Sequence, residues 1–132
     1  MDYVADTTFL VGLWRRQSWA LDFAQHESGK SLGLPWVVLS EFWHGATVAG
    51  HDPRRVEAFL RLGIPLLDPV PVIPLYARLC ADVQKTKAYR AISQNDLWIG
   101  ACALAANRPL VTRNQRHFHL IPDLNLKVLS AA

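Results

Sequence analysis

The sequence predicts an α/β protein, with a short, mainly parallel sheet covered on both faces by helices. Short apolar runs, which are typical of buried strands, alternate with helix-like stretches along the whole chain of 132 residues. Hydrophobic residues make up 51% of the chain and charged residues 19%, which is the composition of a globular protein. We expect one domain over residues 1–132, because the chain can bury a real core but is too short for two.

Several element boundaries follow from capping residues and apolar periodicity. Ser40 is predicted to cap a helix that carries Glu41 in its first turn, and Asp52 is predicted to cap the helix that begins at Pro53. Along the chain the sequence predicts strand 3–6, helix 7–16, helix 19–27, strand 32–39, helix 40–49, helix 54–62, one strand within 63–72, helix 75–89, helix 97–106, strand 110–112, a turn at 115–118 and strand 126–129. The basic end of the fifth predicted helix, residues 85–90, is either a solvated helix end or a phosphate contact.

The helix over residues 97–106 is nearly free of polar side chains, so both of its sides are predicted to pack against other elements. Ser93 and Asp96 precede this apolar run at the spacing of a capping box. Taken alone, Asp96 is explained by the positive end of the helix dipole, which is worth about 0.5 kcal/mol.

Composition also restricts the function classes. The net charge of +3 is compatible with an anionic partner without establishing one. The first residues lack the features of a signal peptide, and the apolar run 97–106 is half of the roughly 20 residues that span a bilayer. We therefore expect a soluble, cytoplasmic protein without a membrane partner. Cys80 and Cys102 are expected to be core residues, and the histidine spacing gives no zinc motif.

Four polar residues share one position relative to the predicted elements. Asp6, Glu41, Asp96 and Asn114 each follow a strand or begin a helix. In a parallel sheet such junctions lie on one edge, where ligands of open α/β proteins bind. A helix cap explains each acid separately, but three converging carboxylates repel one another unless a cation joins them. Oxygen ligands favour Mg²⁺ or Mn²⁺, which can assist phosphodiester hydrolysis.

Four segments occur in an order and spacing that together are more specific than any one of them. They are residues 4–8 (VADTT), 39–45 (LSEFWHG), 95–101 (NDLWIGA) and 110–118 (LVTRNQRHF). In these segments the chain resembles the PIN domain family, in particular its VapC-type toxin ribonucleases. The resemblance implies a three-layer α/β/α sandwich and Mg²⁺- or Mn²⁺-dependent cleavage of RNA by the toxin of a toxin–antitoxin pair.

The resemblance also assigns roles to individual residues. Asp6, Glu41 and Asp96 would be the catalytic metal ligands, and all three are expected to face solvent, so that amide substitutions leave the fold intact. Asn114 falls near the place where many members have a fourth acid. No Asp or Glu occurs from residue 99 to 122, so this position uses an amide or a water, or is missing. Thr112 would bind a ligand or a water.

Substrate and partner contacts are implied in the same way. Arg113 and Arg116 either meet an RNA phosphate or are simply solvated. The family further implies a homodimer and an antitoxin segment lying across the active site. Trp14 and Trp43 are the candidates for its groove, with core or dimer packing an equally open interpretation.

Three other function classes compete with the nuclease. An aspartate-dependent phosphatase needs Asp-x-Asp-x-Thr after the first strand, and Val4 occupies the first Asp position. A non-catalytic PIN-like domain that binds RNA or protein is opposed by the three intact acids. A nucleotide-binding module is opposed by the lack of a glycine-rich phosphate loop.

Overall fold

The computed structural model describes residues 1–86 and 91–129 of the chain. Its elements alternate as the sequence predicts, which gives parallel strands joined through helices. In chain order they are β1 (Tyr3–Ala5), α1 (Thr7–Trp14), α2 (Ser18–His26), β2 (Leu32–Pro35), α3 (Trp36–Val48), α4 (Pro53–Leu60), β3 (Ile64–Leu66), α5 (Ile73–Gln84), α6 (Gln94–Ala106), β4 (Leu110–Thr112), α7 (Gln115–Phe118) and β5 (Leu126–Val128).

The five strands form one sheet in the order β3-β2-β1-β4-β5, and every neighbouring pair is parallel. Helices flank this sheet, so the predicted fold class is confirmed. The chain runs outward from β1 to β2 and β3 and then returns to place β4 on the other side of β1. The carboxyl ends of β1 and β4 therefore border the switch point of the sheet, where open α/β proteins form ligand crevices.

The centre of the sheet is also the centre of the core. Val4, Ala5, Leu110 and Val111 on β1 and β4 have no exposed surface. Burial on both faces explains why these strands are continuous apolar runs rather than alternating ones. Burial raises the pKa of the Cys102 thiol to about 12, which fits its predicted role as a packed core residue.

The predicted second strand is too long. It ends at Pro35, and the apolar segment after it is the first turn of α3 rather than sheet. An apolar run of this length fits a buried strand or a buried helix equally well. Here it forms a helix, because the helix buries Val37 and Val38 against the core. Ser40 is therefore not an N-cap: its hydroxyl donates to the carbonyl of Trp36 at 2.7 Å, inside the helix. Glu41 accordingly lies in the second turn of α3, not at its start.

Other boundaries agree more closely. The caps Asp52 and Ser93 are confirmed, since each side chain accepts a backbone N–H of its helix. The predicted turn at 115–118 is the one-turn helix α7. Helix α5 ends at Gln84, before the predicted end at Tyr89, and residues 87–90 of the predicted basic helix end lie outside the described residues.

Within residues 1–86 and 91–129, no helix has the length and apolar character needed to cross a bilayer.

Candidate functional site

Asp6 lies directly after β1 and caps α1 at the switch point of the sheet. Its side chain is buried, with only 3% of the residue exposed, so the expectation that it faces solvent is wrong. Three donors reach the carboxylate: the backbone N–H of Thr7 at 2.7 Å, the hydroxyl of Thr8 at 2.9 Å and the hydroxyl of Thr112 at 2.7 Å. The N-cap interpretation of Asp6 thus holds, but a cap alone does not require burial or two further donors.

The electrostatics of Asp6 oppose its ionisation. Burial raises the pKa of this carboxyl, its three hydrogen bonds act in the opposite direction, and the negative charge of Asp96 raises it further. The net shift is upward. A nearby cation would reverse this balance, because it would compensate both carboxylates at once.

Glu41 connects the surroundings of Asp6 to those of Asp96. One oxygen, Oε1, accepts from the hydroxyl of Thr7 at 2.7 Å, and the other, Oε2, accepts from the amide of Asn95 at 3.4 Å. Helix-dipole stabilisation fades beyond the first turn, so it does not explain a carboxylate in the second turn of α3. The contacts across the fold account for the position of Glu41 better than its own helix does.

Asp96 lies in the first turn of α6, where its backbone N–H donates to the Ser93 hydroxyl at 3.1 Å. Its carboxylate points elsewhere: Oδ2 lies 2.8 Å from Nδ1 of His117, and the side chain is 14% exposed. Asp96 is thus partly covered, and a neighbouring segment of the chain orients it. The helix-dipole explanation is incomplete, because it does not account for the contact with α7.

Asn114 and Thr112 link this contact back to Asp6. The hydroxyl of Thr112, which donates to Asp6, also accepts from the backbone N–H of Asn114 at 2.9 Å. The side-chain amide of Asn114 lies 3.1 Å from Nδ1 of His117. His117 was not among the predicted site residues, although its position three residues after Asn114 in the last motif could have indicated it.

All four predicted junction residues therefore belong to one connected set of contacts, which we call the acidic ring. The ring runs through Asp6, Thr112, Asn114, His117, Asp96, Asn95, Glu41 and Thr7 and returns to Asp6, and each link is a hydrogen bond or polar contact except the peptide bond that joins Asp96 to Asn95. Its side chains come from β4 and from the starts of α1, α6 and α7, together with the second turn of α3. The sheet topology brings together residues that are remote in the chain.

The donor chemistry of the acidic ring suits a hard divalent cation, since its acids offer only oxygen atoms. Among residues 1–86 and 91–129, no group of three or more His, Cys, Asp and Glu side chains is arranged so that it could hold a metal ion. Mg²⁺ does not require such a group, because one or two carboxylates completed by waters commonly hold it. The residues present fit the cation that the family implies.

The two predicted substrate arginines lie on the segment that borders the acidic ring. The backbone N–H of Arg113 donates to the Thr8 hydroxyl at 3.2 Å, while its exposed guanidinium lies 4.6 Å from the centre of the Trp19 ring. Arg116 is exposed on α7, next to His117. Arg113 is thus hydrogen-bonded to a residue that contacts Asp6, and Arg116 is an exposed residue of the same segment.

The two predicted groove tryptophans differ in their surroundings. Trp14 packs edge-to-face on Phe42, Phe59 and His51, and it lines a cavity of about 350 Å³ that also contacts Glu41. Trp43 is half-buried against the core and is not among the residues that line this cavity. Of the two, only Trp14 lies beside the acidic ring.

A five-stranded parallel sheet with carboxylates near its switch point defines the chain as an open α/β protein with a group of acidic side chains at the edge where such proteins bind ligands. Within that class the chain belongs to the PIN domain family, whose model matches residues 3–124.

Individual proteins show the same relationship. Ribonuclease VapC1 of Haemophilus influenzae is 28% identical over 128 residues, which cover 94% of this chain and 95% of the relative. The solved structure of VapBC-1 from nontypeable Haemophilus influenzae is similar with a TM-score of 0.81 and 25% identity, and the match covers 97% of this chain and 98% of the other. A toxin–antitoxin complex from Klebsiella pneumoniae shares the fold with a TM-score of 0.74 at 18% identity, over 93% and 95% of the two chains.

Proposed function

We propose that this chain is a metal-dependent endoribonuclease and the toxin of a toxin–antitoxin pair. Membership of the PIN domain family and similarity to a protein named as a ribonuclease over nearly the whole chain support this function. The observation that carries the proposal is the acidic ring, which joins Asp6, Glu41 and Asp96 at the switch point of the sheet.

In this proposal Asp6 and Asp96 hold Mg²⁺ or Mn²⁺, Glu41 holds the same cation or orients the attacking water, and Asn114 contributes through a water. When bound, the cation supplies positive charge that stabilises the charge developing on the scissile phosphate. Thr112 and the first residues of α1 hold the buried Asp6 carboxylate in one orientation through their donors. Glu41 is oriented for either role by the hydroxyl of Thr7 on Oε1 and by the longer contact of Asn95 with Oε2.

The proposed RNA binding is based on the positive charge of two exposed arginines. Arg113 is hydrogen-bonded to Thr8 beside Asp6, Arg116 is exposed on the same segment, and guanidinium groups bind phosphate oxygens in a bidentate manner. Their positive charge also offsets the repulsion between the carboxylates and the RNA backbone. We assign RNA phosphate binding to these two residues.

The proposed antitoxin contact is based on the cavity beside Trp14. An antitoxin segment would lie across the acidic ring and use the cavity beside Trp14, whose lining includes Glu41 and apolar side chains of α1 and α3. A protein with this fold has been solved as a toxin–antitoxin complex. Trp43, which is half-buried on α3 and does not line this cavity, would contribute to a homodimer instead.

The decisive experiment measures cleavage of a structured RNA in the presence of Mg²⁺, Mn²⁺ or EDTA. Asp96→Asn and Glu41→Gln should lower the cleavage rate by orders of magnitude. Asp22→Asn and Glu57→Gln, which alter exposed acids on α2 and α4, serve as matched controls purified in parallel and should retain activity. Cleavage that persists in both site variants, or that is insensitive to EDTA, would refute the proposal.

The same experiment addresses the binding-only alternative. A chain that binds RNA with wild-type acids and metal present, yet cleaves none, would be a non-catalytic PIN-like domain. Hydrolysis of a small phosphomonoester without RNA cleavage would favour the phosphatase alternative instead.

A further inference from the structure

Gly12 occupies a position in α1 where a side chain would collide with Trp19. A Cβ atom at Gly12 would lie 2.5 Å from both Cη2 and Cζ2 of the indole. Glycine inside a helix is less stabilising than alanine, because it loses more conformational freedom on folding. The space left by this glycine therefore determines where the Trp19 ring lies.

Two further contacts restrict the same indole. Its Nε1–H donates to Oε1 of Gln17 at 3.1 Å, and the guanidinium carbon of Arg113 lies 4.6 Å from the ring centre. A separation below about 6 Å is within the range of a cation–π interaction. Trp19 is thus fixed on one side by α1 and supports an arginine on another.

Arg113 is held at both ends next to the acidic ring. Its backbone N–H donates to the hydroxyl of Thr8, and that hydroxyl donates to Oδ2 of Asp6 at 2.9 Å. Among the ion pairs of residues 1–86 and 91–129, none uses the Arg113 guanidinium. Stacking engages the face of a guanidinium and leaves the N–H donors at its edge available for a phosphate.

We propose that Trp19 is a positioning residue for RNA binding, whose indole holds the Arg113 guanidinium at the rim of the acidic ring so that it binds a phosphate of the substrate. This inference rests on the proposed ribonuclease function and deepens it. Trp19 itself touches no reacting group. Its effect passes through Arg113, and Gly12 provides the space that it needs.

The test is a double-mutant cycle on RNA cleavage, with kcat and KM measured separately at several salt concentrations. Trp19→Leu removes the aromatic face and should raise KM about threefold with kcat nearly unchanged. Trp19→Phe keeps an aromatic face and should restore most of the affinity. Arg113→Ala should raise KM at least as much and should flatten the salt dependence of binding, because one phosphate contact is lost.

The informative comparison is the double variant. If Trp19 acts through Arg113, then adding Trp19→Leu to Arg113→Ala produces no further rise in KM. Gly12→Ala displaces the indole without replacing any polar side chain, and it should raise KM as Trp19→Leu does. It provides a second test of the same contact if Trp19→Leu does not fold. Arg55→Ala is the control. Arg55 is on α4, and its guanidinium carbon lies 5.4 Å from the centre of the Trp14 ring, so the variant removes a similar Arg–Trp contact and should leave KM unchanged.

The outcomes separate this inference from the function on which it rests. A wild-type chain that does not cleave RNA would overturn the proposed function and this inference with it. A cleaving wild type in which the Trp19 and Arg113 effects multiply independently, or in which Trp19→Leu leaves KM unchanged, would overturn only the positioning role.

Discussion

The hydroxyl of Thr112 donates a 2.7 Å hydrogen bond to Oδ2 of Asp6, although 106 residues separate them in the chain. Thr112 has no exposed surface and ends β4, while Asp6 follows the adjacent strand β1. The bond therefore closes the switch point of the sheet over a buried carboxylate. Because its donor and acceptor are both removed from water, the loss of either partner should be costly.

Thr112→Val should destabilise the protein, because valine fills the same space without a hydroxyl. The substitution leaves Asp6 with one donor fewer and the backbone N–H of Asn114 without its acceptor. A buried polar group without a partner costs about 1 to 3 kcal/mol, so the urea midpoint should fall by the equivalent amount with an unchanged m-value. Thr112→Ser, which keeps the hydroxyl, is the control. Equal stability of the valine variant and the wild type would contradict the role assigned to this bond.

The unfolding free energy should depend on pH through Asp6. Because burial raises the pKa of this carboxyl in the folded state, the folded protein holds its proton to a higher pH than the unfolded chain does. Stability from this group is thus present at low pH and is lost as pH rises from the ordinary carboxyl range through the raised pKa. Asp6→Asn has no such titration, so its stability relative to the wild type should increase over that pH range and then level off.

Urea unfolding at a series of pH values in EDTA measures this difference. Asp22→Asn, which alters an exposed acid on α2, is the control and should follow the wild type at every pH. A stability of Asp6→Asn that falls relative to the wild type as pH rises would have the wrong sign and would refute the assignment.

His117→Leu should weaken Mn²⁺ binding, because the 2.8 Å contact with Asp96 orients a proposed ligand. Loss of a group that orients a metal ligand typically costs about 10- to 100-fold in affinity or activity. The side chain of His117 is 41% exposed, so the variant should fold normally. Calorimetric titration with Mn²⁺ measures the effect.

His119→Leu is the matched control for this experiment. His119 is exposed on the same segment, and its Nδ1 lies 3.1 Å from the backbone carbonyls of Gln115 and Arg116. Its replacement should leave Mn²⁺ affinity unchanged. If both leucine variants bind Mn²⁺ equally well, the contact with Asp96 does not position a metal ligand.

Ser93→Ala should lower stability, whereas Ser40→Ala should not, although both serines look like helix caps in the sequence. Ser93 accepts the backbone N–H of Asp96 at the start of α6, and its loss should cost about 1 kcal/mol. The melting temperature should then fall by roughly 3 to 5 °C. Ser40 lies inside α3, where alanine is the better helix former. A thermal scan of the two variants in which both lose the same stability would contradict this distinction.

Much of the fold could be predicted because its causes are local. Strand and helix alternation, the apolar character of β1 and β4 and the caps at Asp52 and Ser93 follow from residue pattern and side-chain chemistry. The start of α3 could not be predicted in this way, because residues 36–39 are apolar enough for either a strand or a helix. Packing of that segment against the core selects the helix.

The candidate site, like the fold, has features that the sequence predicts and features that it does not. That Asp6, Glu41, Asp96 and Asn114 belong to one edge follows from the order of the elements, since parallel strands present their carboxyl ends together. The burial of Asp6 could not be predicted from spacing, and spacing could place His117 near Asn114 without showing that it contacts Asp96. Both depend on which distant side chains lie next to each carboxylate.

By itself, the sequence determined the alternation of strands and helices, the apolar centre of the sheet and the acids at its junctions, because these features depend on neighbours along the chain. Only the tertiary structure decided that Asp6 is buried, that Glu41 lies in the second turn of its helix and contacts Thr7, and that Trp19 supports Arg113. The physical reason is that solvent exposure, hydrogen-bond partners and pKa depend on groups brought close in space by the strand order, which no local pattern specifies.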